Sequence, residues 1–241
     1  MRQALLLLAD SRLPAGAHAH SGGVAPAVDE GLISGDLADV VEFLRGRLHT
    51  AGLLAAAVAA RACHLAAATP APTEARPAAA SPAPGAAAAD ATWAELDAAV
   101  DARTPSPAQR QTSRAQGRAL LRVARQAFPH PALQTLGTHP HHPIALGVAV
   151  HAAHGTPHEA AALAVAASIN GPASAAVRLL GLDPLALTAA HAALTPTADA
   201  VATEAAQYAD RPTDALPAPS APLLDLLAQA HARSEVRLFA S

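Results

Sequence analysis

The stretch DLADVVEFLRGRLHTAGLLAAAVAARACHLAAA, Asp36 to Ala68, decides the fold class. Asp36 stands where a helix N-cap is expected. After it Leu37, Val40, Val41, Leu44 and Leu48 recur at i, i+3, i+4, i+7 and i+11, the stripe of an amphipathic helix. Glu42, Arg45, Arg47 and His49 lie off that stripe. From Ala51 to Ala68 the pattern turns apolar almost all round, as in a helix at the centre of a bundle. Alanine, which dominates it, is the best helix former and lets neighbouring helices approach closely.

The remaining sequence extends that reading. The chain has 241 residues, 51% hydrophobic but only 2% aromatic, so its core must be built from Ala, Leu and Val. Helix starts are marked by capping residues at Ser106-Pro107 and at Thr156-Pro157 with Glu159, and two more helices start at Asp183-Pro184 and Thr195-Pro196. Thr92 with Glu95 predicts another start, and Asn170-Gly171-Pro172 predicts a kink or break. The Ala/Pro-rich residues 69–89 read as a flexible insertion within one domain. Residues 209–222 read as a proline-rich linker that leaves a weakly anchored C-terminal segment, with a last short helix to His231. No repeat of 20–50 residues is present, which excludes a solenoid. The expectation is an all-α, single-domain bundle of about eight to ten helices.

Several functional classes fall away. A net charge of −3 gives no general attraction to nucleic acid. The chain has no lysine, so no phosphate-binding loop of the Gly-x-x-x-x-Gly-Lys type, and no Gly-x-Ser-x-Gly elbow or dinucleotide fingerprint. Catalysis is not expected. Cys63 is the only cysteine, which rules out an internal disulfide and a Cys-x-x-Cys site and fits a reducing cytoplasm. It reads as a small buried hydrophobe. The apolar run Ala4–Ala9 is short for a secretory signal, and Ala51–Ala60 is interrupted by Arg61, so a core helix is expected there and no membrane span.

Thirteen histidines raise the question of metal. His18 and His20 are two apart, His139, His141 and His142 crowd one loop, and His151 and His154 share a helix face at i, i+3. Imidazoles suit nickel, zinc or copper, and transient loading is chemically reasonable. No His-Glu-x-x-His, cysteine ligand or carboxylate paired by spacing accompanies them, so no dedicated site is assigned. Arg110, Arg114, Arg118, Arg122 and Arg125 form an oblique band on one helix. The band reads as a solvated face or as a docking band for an acidic partner.

The functional reading centres on Asp10–Val24, a loop of Pro14, Gly16, Gly22 and Gly23 carrying His18, His20 and Ser21. Such a loop is a shaped contact surface more readily than a spacer. Its pattern Leu13-Pro14-x-Gly16-x-x-x-x-Ser21-x-Gly23 resembles that of the urease accessory protein UreF family. Thr112-Ser113-Arg114 with Gly117, His142-Pro143 with Gly147, Ala176-Val177-Arg178-Leu179, and the ending Arg237-Leu238-Phe239-Ala240-Ser241 are similar to that family as well. The chain departs from it at Ala25 and Ala232, where glutamate is usual, and at Gly181-Leu182-Asp183. The resemblance implies an all-α, dimeric, non-catalytic scaffold in nickel-dependent urease maturation. It implies binding of UreD (or UreH), recruitment of the GTPase UreG and docking on urease apoprotein, with nickel handled by the complex and no resident cofactor. On this resemblance Pro14, Gly16, His18, His20, Ser21, Gly23 and Arg178 are expected to form a GTPase or dimer contact. Arg237, Leu238 and Phe239 are expected to anchor the tail to a partner. The competing reading is a metallochaperone that carries nickel on its own histidines.

Overall fold

A computed structural model describes residues 3–10, 12–15, 20–68 and 84–234. Among these there are twelve α-helices and no β-strand: the all-α class holds, and very short helices raise the count above the eight to ten expected. The axis of the fold is the stretch quoted above. Asp36 accepts from the Ala38 N–H and opens α3 (Leu37–Arg47). A π turn at Leu48–Gly52 leads directly into α4 (Leu53–Ala67). One extra residue in that turn rephases the helix. Before it, Val40, Leu44 and Leu48 are buried along one stripe; after it, Ala56–Ala60, Ala62, Cys63 and Ala66 are buried nearly all round.

Three helices enclose α4: α8 (His142–Ala152), α9 (Pro157–Leu180) and α11 (Thr195–Ala206). At Gly147 on α8 an added Cβ would overlap the Ala59 carbonyl and lie 2.8 Å from the Ala62 Cβ, so α8 meets α4 backbone to backbone. Leu37–Ala67 and Pro157–Leu180 are long and apolar enough to cross a membrane by length and composition. In the fold 56% of each apolar window is buried against other helices, the position of core helices.

Around this centre lie α1 (Gln3–Ala9), α2 (Val24–Asp29), α5 (Pro84–Ala102), α6 (Pro107–Ala127), α7 (Pro131–Thr135), α10 (Pro184–Ala193) and α12 (Pro222–Arg233). The caps at Ser106, Thr156 and Asp183 are formed as expected, and Thr156 with Glu159 makes the full reciprocal box. Cys63 is buried, and burial pushes its thiol up to about 12.

Three expectations change. Thr92 does not start a helix, because α5 already runs from Pro84 and encloses it; residues 84–89 therefore belong to helical backbone, while 69–83 lie outside the described residues. Pro172 does not break α9. Proline frees the carbonyl four residues back, here that of Ser168, and the Arg47 Nε donates to it at 3.0 Å. Segment 209–222 is not a free linker: Arg61 donates to the Ala209 carbonyl at 3.1 Å, and Arg103 to those of Leu216 and Asp214 at 3.2 and 2.8 Å. The helix that follows, α12, packs on α6 and α2.

Candidate interaction surface

The Gly22 end of the opening loop is held by Arg47. Its guanidinium donates to the Gly22 carbonyl at 2.5 Å as well as to Ser168, and it has no carboxylate within ion-pair distance among the described residues. Burial lowers it to about 10. Gly22 and Gly23 take positive φ, 57° and 96°, which favours glycine. A Cβ on Gly22 would also sit 2.7 Å from the Pro172 side chain, so the turn is moulded to the proline in α9. Ser21 is fully buried, and its Oγ accepts from the Ala25 N–H in the first turn of α2 at 3.2 Å. Pro14 is exposed and His20 half-buried, while Gly16 and His18 lie outside the described residues.

Gly23 touches the other end of the chain. A Cβ there would stand 3.3 Å from Leu224 of α12 and 3.4 Å from Phe43 of α3. Beside this contact Leu32, Ile33, Phe43, Leu223 and Leu227 line an apolar groove with Asp39 and Glu42 at its rim. Leu223 and Leu226 are 55% and 68% exposed on the outer side of α12. Arg178 lies on the exposed side of α9, one turn beyond Ala175, on which Ala25 packs. Ala25 is buried there, and this close Ala–Ala contact leaves no place for the glutamate expected from the resemblance. Asp183, another departure, caps α10 by accepting from the Leu185 N–H. Ala232 is exposed, and Arg237, Leu238 and Phe239 lie outside the described residues.

A second junction was not foreseen as a unit. His141, fully buried, pairs through Nε2 with Asp101 at 2.9 Å and through Nδ1 with Ser113 at 3.0 Å. The Ser113 Oγ accepts from the His142 N–H at 3.2 Å. One assignment satisfies all of them: Nε2–H donates to Asp101, and the Ser113 hydroxyl donates to Nδ1. Burial lowers the His141 pKa, against the opposing pull of Asp101. Burial also raises the Asp101 carboxyl, but its bonds to His141 and Arg114 outweigh that and hold it below the usual range. Asp97, Asp101 and His141 present ligand atoms within 4.8 Å of one another, the spacing of a metal site. The Arg114 guanidinium already bridges both carboxylates at 2.7 and 2.8 Å, and its fixed charge repels a cation. At Gly117 an added Cβ would collide with the Pro140 carbonyl, so α6 touches the loop backbone there. Thr112-Ser113-Arg114…Gly117 and His141-His142-Pro143 thus form one joint. The signal in the sequence is the i, i+4 pair Asp97 and Asp101, which share a face of α5.

Three arginines of the band, Arg110, Arg114 and Arg125, are held by neighbouring groups, while Arg118 and Arg122 are exposed. Arg114 is tied to α5 and donates to the His139 carbonyl, Arg110 donates to the Thr104 and Pro105 carbonyls, and Arg125 to those of Leu133 and Leu136. Arg118 meets His139, and Arg122 is exposed. The crowded histidines are likewise separated: His139 faces Arg118, His141 is in the joint, and His142 faces His20. Burial and the nearby His20 lower His142 to about 4.

A buried polar joint, an apolar groove and a turn moulded to a helix define an all-α protein with leucines exposed beside its opening loop. Comparison with known proteins agrees. The UreF family profile matches residues 35–195. Over 237 residues the chain is 44% identical to "Urease accessory protein UreF" of Mycolicibacterium vanbaalenii and 43% identical to that of Mycobacterium sp. strain JLS. It is 40% identical over 238 residues to that of Mycobacterium marinum; in each case the alignment covers 98% of this chain and 97% of the relative. The chain belongs to the UreF family, a family of accessory proteins and not of catalysts.

Proposed function

We propose that this protein serves urease maturation as a non-catalytic cytoplasmic scaffold. As a homodimer it binds UreD (or UreH), recruits the GTPase UreG and presents the assembly to urease apoprotein for nickel insertion. The observation that carries this reading, beyond family membership, is the contact between the two ends of the chain. Gly23 of the opening loop abuts Leu224 of α12, beside the groove and the exposed Leu223 and Leu226. Exposed leucines next to the Gly22-Gly23 turn suit a protein partner, for which apolar anchors supply affinity and rim charges supply register. Asp39 and Glu42 are those rim charges. Arg237, Leu238 and Phe239 follow α12 in sequence and are proposed to anchor the same partner.

The test is urease activation in a strain lacking this chain, complemented by wild type, Leu223→Asp/Leu226→Asp, or a truncation before Glu235. Wild type restores urease activity; both variants fold with wild-type helicity, fail to capture UreD and leave urease inactive. Full activation by both variants refutes the assigned surface, and no requirement for the wild-type chain refutes the function.

A further inference from the structure

Charge is divided unevenly along this chain. Between Asp101 and Glu159 there is no aspartate or glutamate, and that stretch holds six of the sixteen arginines. The rest of the chain, with ten arginines and all nineteen carboxylates, is formally −9. A protein of net charge −3 therefore gathers its positive charge in one part, and α6, with five arginines and no acid, is the centre of it.

The structure sorts those five arginines into two groups. Arg110 and Arg114 reach Asp101, Arg114 also takes Asp97, and Arg125 closes on the Leu133 and Leu136 carbonyls. Arg118 and Arg122 are exposed, and among the described residues neither has a carboxylate within ion-pair distance. The Arg118 Nη1 donates to the His139 Nε2 at 3.3 Å, and the His139 Nδ1–H then donates to the Thr138 hydroxyl at 2.8 Å. With that proton placement the ring is neutral and leaves the guanidinium charge uncompensated. Arg118 and Arg122 stand one turn apart on the exposed stripe of Gln111, Ala115, Arg118, Arg122 and Gln126. Like charges at i, i+4 weaken a helix. Arg110, Arg114 and Arg125 offset that through the groups they hold, whereas Arg122 holds none and Arg118 only a neutral surface ring.

We propose that Arg118 and Arg122 dock a carboxylate-bearing surface of another protein. A guanidinium matches a carboxylate fork to fork. Cβ atoms at i, i+4 lie about 6 Å apart, so the matching surface presents two carboxylates at that spacing, as an Asp or Glu pair four residues apart on a helix does. The face lies in the middle of a helix, where backbone N–H groups are used within the helix, so a lone phosphate finds no N–H cradle. The −9 of the remaining chain repels a polyanion, and the stripe offers no aromatic side chain on which bases could stack. Neither arginine lines the groove beside α12. The face is thus a second surface, separate from the one assigned to UreD and independent of that assignment.

The absence of lysine makes the test site-specific. Arg118→Lys/Arg122→Lys keeps both charges and supplies side-chain amines that a carbodiimide couples to carboxylates. The full-length variant is treated alone and with purified UreD, UreG or urease apoprotein, and the amides are mapped by peptide mass spectrometry. Amides from positions 118 and 122 to a carboxylate of one of those proteins are expected. Arg118→Gln/Arg122→Gln then lowers the association rate of that protein by about tenfold at about 0.05 M salt, and the difference vanishes near 0.5 M. Its Tm is not lowered, because neither guanidinium holds the fold. If none of the three binds wild type, the scaffold reading fails, and a helical peptide with glutamates at i and i+4 tests the face by itself. Wild type binds that peptide at least about tenfold more tightly than Arg118→Gln/Arg122→Gln does. Amides only between copies of the chain or none at all where a protein binds, an unchanged association rate, a lowered Tm, or equal or absent binding of the peptide overturns the proposal.

Discussion

Gly117→Ala is the perturbation whose sign separates tertiary packing from local preference. Gly117 lies inside α6, where alanine is favoured over glycine by about 1 kcal/mol. Helix propensity alone therefore predicts a more stable protein. The structure predicts the reverse. The new methyl would overlap the Pro140 carbonyl and lie 2.9 Å from both the His141 carbonyl carbon and the His142 nitrogen. Ordinary carbon contacts need about 3.5 Å or more, so the 140–142 backbone must move off α6. Three bonds depend on that approach: His141 to Ser113, the His142 N–H to Ser113, and Arg114 to the His139 carbonyl. At about 1 kcal/mol for each neutral bond and somewhat more for the charged one, the loss is about 4 kcal/mol. Subtracting the gain in propensity leaves a net destabilisation of about 3 kcal/mol, or roughly 6–12 °C in Tm for a chain of this length. Urea unfolding followed at 222 nm measures it. Gly46→Ala is the control: Gly46 is inside α3 with nothing within 4 Å of an added Cβ. That variant should gain about 0.5–1 kcal/mol. A Gly117→Ala protein as stable as wild type, or more so, refutes the joint.

Other substitutions probe the remaining features. Arg47→Met strands the Ser168 and Gly22 carbonyls, at about 1–3 kcal/mol each. Relief of the desolvated charge offsets part of this, and a net loss of about 1–2 kcal/mol is expected in urea unfolding; an unchanged midpoint contradicts the bracing of Pro172. Burial, with His20 nearby, lowers His142 from its ordinary 6.5 to about 4, so the unfolded chain binds the proton more tightly. Its contribution is complete above pH 6.5 and is lost as pH falls toward 4, about 3 kcal/mol in all; His142→Gln flattens the stability profile between those limits. With its thiol raised to about 12, Cys63 should resist Ellman's reagent in the native protein and react within seconds in urea; fast native labelling contradicts its burial.

The sequence conveyed what is local. The stripe from Leu37 to Leu48 and the caps at Asp36, Ser106, Thr156 and Asp183 depend on neighbours within four residues, and the structure contains them all. Pro172 misled because its rescue comes from Arg47, which lies 121 positions before the Ser168 carbonyl it binds. Thr92 misled because a capping box cannot reveal that a helix has already begun upstream. The arginines looked free because most of their partners are backbone carbonyls, which no residue pattern displays. Of the loop, the positions needing special backbone were legible as glycines, whereas the burial of Ser21 and the contact of Gly23 with α12 were not. That contact joins residues some two hundred positions apart.

The alanine lining of α4 has a consequence for how this protein tolerates change. A core built on leucine and phenylalanine is damaged mainly by trimming, since truncation leaves voids. At Ala56, Ala57, Ala59 and Ala60 only a methyl remains to be removed, and Gly147 opposite has none. Nearly every replacement there adds bulk against a neighbouring backbone that cannot yield. Inherited lesions in this helix will therefore be enlargements, and suppressors should appear as shrinkage on the facing helix.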